Sequence, residues 1–344
     1  MLRNLTAIVV LVLLAPFALG GAEEQKLAVT FVTDVGGLGD RGSNDAAWEG
    51  VKRAANEFSC PIRAVTSKEP GDYAANLSAA AEGAKVVVSV GRAMADVVRF
   101  VAPKYTNVYF VQVEGEIDGL PNVVSYDFKA EEAGFLAGVV AALYTKTGFA
   151  GVVTPPDAVW REAYITGFTA GTKAAGRSAM KKVDTAFLAP DGAEDAAQSK
   201  LLADGLVGRG CDVISITADR AGMGVLGALK DKPTVKVIFQ GADLDDAARG
   251  QVLASTTNRI GTAAFEGIKM AVDRTWESGY KTLGYREDGM TLSAMEYSKK
   301  LFSPADLATI EAAKGVLGRA ETTVPTTATA LENWTPPKLA GEAR

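Results

Sequence analysis

The sequence predicts an α/β protein built as two doubly wound lobes. Short β-branched runs alternate with helical segments along nearly the whole chain, the pattern of βαβ units and a parallel sheet. Several of these runs, residues 85–90 among them, are continuously apolar, as expected of strands covered on both faces. The series also restarts near Gly148, so each half of the chain supplies a sheet of its own.

The first unit covers residues 26–58. Residues 27–35 form an apolar run of strand length, and 34–45 a loop of glycines, carboxylates and one asparagine. Ala47, Val51, Ala54, Ala55 and Phe58 then recur at helical spacing. Polar groups therefore gather at the carboxyl end of a strand, where open α/β sheets bind ligands. Strands are expected at 62–66, 85–90, 108–113 and 123–126, with helices at 72–82, 93–101 and 131–144. The second series has strands at 148–153, 181–187, 212–217 and 235–240. Its helices are a Pro155-Pro156-Asp157-capped one running to 175, then 194–206 and 222–229. A strand at 252–257, a helix at 263–276, short strands at Tyr285 and 290–292, and a helix at 304–316 follow. Beyond Arg319 the Thr-, Pro- and Ala-rich tail, 320–344, is expected to be extended or disordered, with Trp334 tacking it down.

At 344 residues, 48% hydrophobic and 22% charged, the chain has room for two domains of ~100–200 residues each. Residues 1–22 read as a cleaved signal peptide: Arg3 supplies the charge, 5–19 is almost wholly apolar, and Gly20-Gly21-Ala22 suits cleavage before Glu23. The run is short of the ~20 residues that span a bilayer, and no cysteine follows it to carry a lipid. A periplasmic or secreted protein is expected. Loss of Arg3 moves the formal charge from −5 to −6, and a weakly acidic chain without a basic stripe does not suit nucleic acid.

Cys60 and Cys211 can pair in an oxidising compartment, or stand as two small buried hydrophobes, the favoured reading. The chain has no histidine. That removes the commonest general base and metal ligand, and with them Ser-His-Asp or Cys-His hydrolysis and a typical zinc site. No catalytic residue, metal or cofactor is assigned.

Gly37-x-Gly39-x-x-Gly42 formally matches the dinucleotide fingerprint. The match is weak, because no acidic residue closes the second strand at the usual place and the helix starts after the motif, at the N-capping residues Ser43 and Asn44. An NAD-dependent Rossmann-type oxidoreductase is thus only an alternative. The remaining polar groups at strand ends are Asp34, Glu114, Asp219 and Asp243. Converging on one crevice, they would form a hydrogen-bonding ring for a polyhydroxylated or heterocyclic ligand; singly, each is a cap or a solvated acid. Trp160 can stack on a ligand ring or simply pack at a helix start; Trp48 is expected in the core.

Asp34-Val-Gly-Gly37 with Gly42-Ser-Asn-Asp-Ala-Ala-Trp-Glu-Gly50 resembles the opening of the basic membrane protein family of ABC-importer solute-binding proteins. Leu120-Pro-Asn-Val123, the 128–138 segment FKAEEAGFLAG, Thr145-Lys-Thr-Gly148, Tyr164-Ile-Thr-Gly-Phe168, Gly241-Ala-Asp-Leu-Asp245 and Ser255-Thr-Thr-Asn-Arg259 match in order. The resemblance implies a type I periplasmic-binding-protein fold that closes by hinge bending. Its lobes would be 25–127 plus 257–283 and 128–256 plus 284–319, joined by three hinge crossings. It also implies a monomer serving an ABC permease, with a purine nucleoside or nucleobase as ligand; riboflavin or another small polar solute is the alternative. By the same resemblance Asp34 and Asn44 contact the base, Glu114 replaces an aspartate, and Asp243 accepts from ribose hydroxyls. Ser43 stands where the family has a stacking phenylalanine, and Asn258 where it has a ribose-contacting lysine. Losing the ring forfeits ~1 kcal/mol beyond area burial, which Trp160 can restore.

Overall fold

A computed structural model describes residues 27–339 apart from 41, 156–157, 177–179, 188–195 and 218. The signal peptide read at 1–22, the capping Asp157 and the last residues of the tail lie outside the described residues.

In chain order the first half runs β1 (Val29–Val32), α1 (Ser43–Phe58), β2 (Ile62–Val65), α2 (Tyr73–Gly83), β3 (Val86–Val90), α3 (Arg92–Val101), β4 (Tyr109–Val113) and β5 (Val123–Phe128). The second runs α4 (Ala130–Tyr144), β6 (Phe149–Thr154), α5 (Arg161–Ala174), β7 (Lys182–Phe187), α6 (Ala196–Gly208), β8 (Val213–Ile216), α7 (Asp219–Ala228), β9 (Lys236–Gly241) and β10 (Val252–Asn258). Then come α8 (Ile260–Val272), β11 (Gly279–Leu283), β12 (Met290–Leu292), α9 (Pro304–Gly318) and α10 (Ala328–Glu332).

The strands form two six-stranded sheets, ordered β2-β1-β3-β4-β5-β11 and β7-β6-β8-β9-β10-β12. The first sheet is parallel throughout, and in the second only β12 runs antiparallel. Every residue of β3 and β5 is buried, because helices cover both faces. Two apolar clusters sandwich each sheet. On the first, α1 and α8 cover one face and α2 and α3 the other. On the second, α4, α5 and α9 lie on one face and α6 and α7 on the other. Helices α4 and α5 approach so closely that a Cβ added at Gly138 would sit 2.0 Å from the Phe168 carbonyl oxygen. Only glycine fits there.

The chain passes between the sheets three times: from β5 into α4, from β10 into α8, and from β11 into β12. The crossings are laced together. Lys129 N–H donates to the Leu283 carbonyl at 3.0 Å and Arg259 N–H to the Gly289 carbonyl at 2.7 Å. The Lys129 ammonium pairs with Glu287 at 3.2 Å and Glu132 at 3.4 Å, and Arg259 pairs with Asp288.

Three features differ from the expectation. The short strand expected at Tyr285 lies instead at β11, an edge strand whose half-exposed residues carry no continuous apolar signal. Helix α8 stops before Trp276, which lies 4.4 Å from the Tyr109 ring and donates Nε1–H to the Pro121 carbonyl at 3.0 Å. The tail carries α10 and docks on the second lobe, with Val324 and Leu339 buried and Trp334 set edge-on against Phe135. Cys60 and Cys211 are buried in different clusters; burial pushes the Cys211 thiol up to about 11. Among the described residues no helix is long and apolar enough to cross a membrane.

Candidate functional site

The loop between β1 and α1 is held by its own carboxylates. Asp40 lies just ahead of α1 and accepts from the backbone N–H of Gly42 at 2.7 Å, Asn44 at 3.1 Å and Asp45 at 3.2 Å. It thereby serves the orphan amides at the helix N-terminus, where negative charge is favoured; the expected cap residues Ser43 and Asn44 do not. Asp34 accepts from Gly36 N–H at 2.8 Å, and Asp45 from Gly39 N–H at 2.7 Å. Gly37 and Gly39 take left-handed backbone, φ 64° and 93°, which glycine adopts without a Cβ penalty. Of the motif's glycine amides, those of Gly39 and Gly42 are thus already bonded to carboxylates and that of Gly37 to the Asp34 carbonyl. This geometry does not fit dinucleotide binding.

Asn44 is 1% exposed and ties the loop shut. Its Nδ2 donates to Asp34 at 2.6 Å and to Asp40 at 2.8 Å, and its Oδ1 accepts from Asp34 N–H at 3.2 Å. Asp34 and Asn44, expected to touch ligand, are not among the residues lining the cleft; Ser43, the first residue of α1, is. Asn44, buried, and Asp34, half-buried, set the course of the loop that leads into Ser43.

At the ends of β3 and β4 a buried amide organises the wall. Ser89 donates its hydroxyl to Gln112 Oε1 at 2.6 Å. Gln112 Nε2 then donates to the carbonyls of Gly91 and Val113, both at 2.9 Å, and of Glu114 at 3.3 Å. Two cleft residues hang on this knot: Arg92, first residue of α3, and Glu114, held in left-handed backbone at φ 62°. A non-glycine residue there costs ~1–2 kcal/mol, the kind of strain that clusters at functional sites. Arg92 Nη2 donates to Asp127 Oδ2 at 2.7 Å.

In the second lobe, Trp160 precedes α5 with its ring set edge-on to Tyr164, centroids 6.5 Å apart. Tyr164 is fully buried, and its hydroxyl meets Ser215 Oγ at 2.8 Å. Asp243, just past β9, accepts from Asp245 N–H at 3.1 Å. Asp245 is buried beneath it and accepts from Ser255 Oγ at 2.9 Å. Burial pushes the Asp245 carboxyl above its ordinary range, against the opposing pull of the Ser293 and Ser255 hydroxyls.

These elements enclose an interlobe cleft of about 600 Å³, a size typical of small-molecule sites. Of the residues singled out in the sequence, Ser43, Glu114, Trp160, Asp243 and Asn258 line it. Asp219 opens α7, but its side chain lies outside the described residues. The sequence reading missed Arg92, Asp127, Phe128, Thr217 and Gln240, all on the wall. Asp127 had a signal: a carboxylate inside the otherwise uncharged, buried strand β5 implies a cation partner. Among the described lining residues stand five carboxylates, on Asp45, Glu49, Glu114, Asp127 and Asp243, and one guanidinium. Among the described residues no group of acids and cysteines is placed to hold a metal ion.

Comparison with known proteins agrees with this architecture. A solute-binding protein of an ABC transporter system from Aeropyrum pernix K1 superposes with a TM-score of 0.72 at 22% identity, covering 89% of this chain and 96% of its own. It supports the type I fold alone. A CD4+ T-cell-stimulating antigen of Listeria innocua is 31% identical over 262 residues, 72% of each chain. The ABC transporter nucleoside-binding protein BmpA of Lactococcus lactis is 30% identical over 278 residues, 74% of this chain and 76% of its own. The family model for Bmp, described as PnrA-like ABC transporter substrate-binding protein, matches residues 27–314. The chain therefore belongs to the Bmp family of PnrA-like substrate-binding proteins, which serve ABC transporters by binding a small molecule and are not enzymes.

Proposed function

We propose that the protein is exported, loses its leader, and as a monomer captures one purine nucleoside or nucleobase between its lobes for delivery to a membrane permease. The composition of the cleft wall is the observation that supports this ligand class. Trp160 and Phe128 bring aromatic side chains among Glu114, Gln240, Asp243 and Asn258, groups that match a heterocycle and its hydroxyls. With Ser43 in place of a ring, the stacking face falls to the two aromatics. The Asp243 carboxylate on the wall disfavours an anionic solute beside it, which argues for a nucleoside over its phosphate esters. The name of the Lactococcus relative points the same way.

A thermal-shift panel of purine nucleosides, nucleobases, nucleoside monophosphates, riboflavin and neutral sugars tests this. A nucleoside at a hundred times its Kd adds about 2.7 kcal/mol to stability, a shift well above noise, and the monophosphates should give none. No shift with any nucleoside or nucleobase would sink the ligand assignment.

A further inference from the structure

We infer that Arg92 sets the base preference of the cleft by taking the O6/N7 acceptor edge of a 6-oxopurine, so that inosine and guanosine are favoured over adenosine. This rests on the purine reading above.

Arg92 is the only cationic side chain among the described lining residues. Its backbone is fixed, because the preceding Gly91 carbonyl is held by Gln112. Its side chain is steered from behind. The Asp127 side chain is 13% exposed and that of Arg92 38%, so the carboxylate sits back and the guanidinium reaches forward. The other Asp127 oxygen accepts from Phe128 N–H at 2.9 Å, which fixes the carboxylate that does the steering. Arg92 spends one donor of Nη2 on Asp127; Nε and Nη1 have no hydrogen-bond partner among the described residues.

A guanidinium carries donors only, so its partner must present acceptors. Carboxylate and phosphate are poor choices here, since Asp127 already supplies the negative partner of Arg92 and Asp243 shares the wall and would repel them. A neutral, planar pair of acceptors fits both the fork and the field. The O6/N7 edge of a 6-oxopurine is such a pair, the edge arginine takes bidentately in the DNA major groove. Adenine offers an amine at the same place, setting donor against donor. The cleft discriminates by that mismatch.

The test is calorimetry of the full mature chain with inosine, guanosine and adenosine, for the wild type, Arg92→Lys and Arg92→Gln. The wild type should bind the two 6-oxopurine nucleosides on the order of ten- to hundredfold more tightly than adenosine. Arg92→Lys keeps a cation beside Asp127 but loses the planar fork. It should collapse most of that preference while leaving the melting temperature near wild type. Equal affinities in the wild type, or a preference that survives both substitutions, overturns the role of Arg92 and leaves the purine reading standing. Failure of every purine nucleoside to bind overturns both.

Discussion

Asp40→Ala should cost the first lobe about 3 kcal/mol. In the wild type, Asp40 accepts from three backbone N–H groups at the start of α1 and from the buried Asn44 side chain. Alanine removes all four acceptor contacts. The backbone amides are only partly buried, so together they are worth a lost N-cap, ~0.5–2 kcal/mol. Asn44 is different. At 1% exposure its Nδ2 keeps Asp34 as one partner and leaves its second hydrogen buried without one, a cost of ~1–3 kcal/mol. The sum should lower Tm by roughly 6–12 °C. Urea unfolding followed by circular dichroism measures it, with Asp40→Asn as an intermediate case that retains one acceptor oxygen. The same variant should weaken ligand binding, since the loop carrying Ser43 loses its clasp. If Asp40→Ala unfolds within about 0.5 kcal/mol of wild type, the range of a neutral surface change, the carboxylate-laced loop is not what holds this end of the cleft.

Gly138→Ala should destabilise the second lobe by at least ~1–3 kcal/mol, because the new methyl meets the Phe168 carbonyl at 2.0 Å and helices α4 and α5 must part; an unchanged Tm would contradict that packing. Asp245 gives a pH signature. Its folded-state carboxyl is raised above the ordinary value by burial, so the folded state holds the proton longer and wild-type stability falls as pH rises from the ordinary Asp value near ~3.9 through the raised one. Asp245→Asn keeps a carbonyl acceptor and lacks that decline. The stability difference between the two should move in favour of the variant across that window and then level off, whereas parallel pH profiles would refute it.

What the sequence made legible follows from how each feature is encoded. Strands β3, β4 and β5 are covered on both faces, so burial leaves unbroken apolar runs that locate them. Glu114 and Asp243 were found because a polar residue just past such a run marks the carboxyl end of a sheet. β11 was misplaced because an edge strand, half exposed, needs no such run. Arg92 and Asp127 are 35 residues apart and meet only through the β3-β4-β5 register; nothing local joins them. Asn44 shows a different limit. A polar residue in a cleft loop can face the ligand or tie the loop, and both uses demand the same residue type at the same place. In the structure both of its Nδ2 hydrogens go to the flanking carboxylates of Asp34 and Asp40, a pairing that its residue type alone does not reveal.

Native mass spectrometry of the protein as purified, repeated after adding inosine, tests most directly whether the interlobe cleft holds one neutral small molecule. One noncovalent increment per chain is predicted, matching the added nucleoside or a retained relative, and absent from the Trp160→Ala, Asp243→Ala double variant. An increment that persists undiminished in the double variant, or none in the wild type with any nucleoside, would contradict the account.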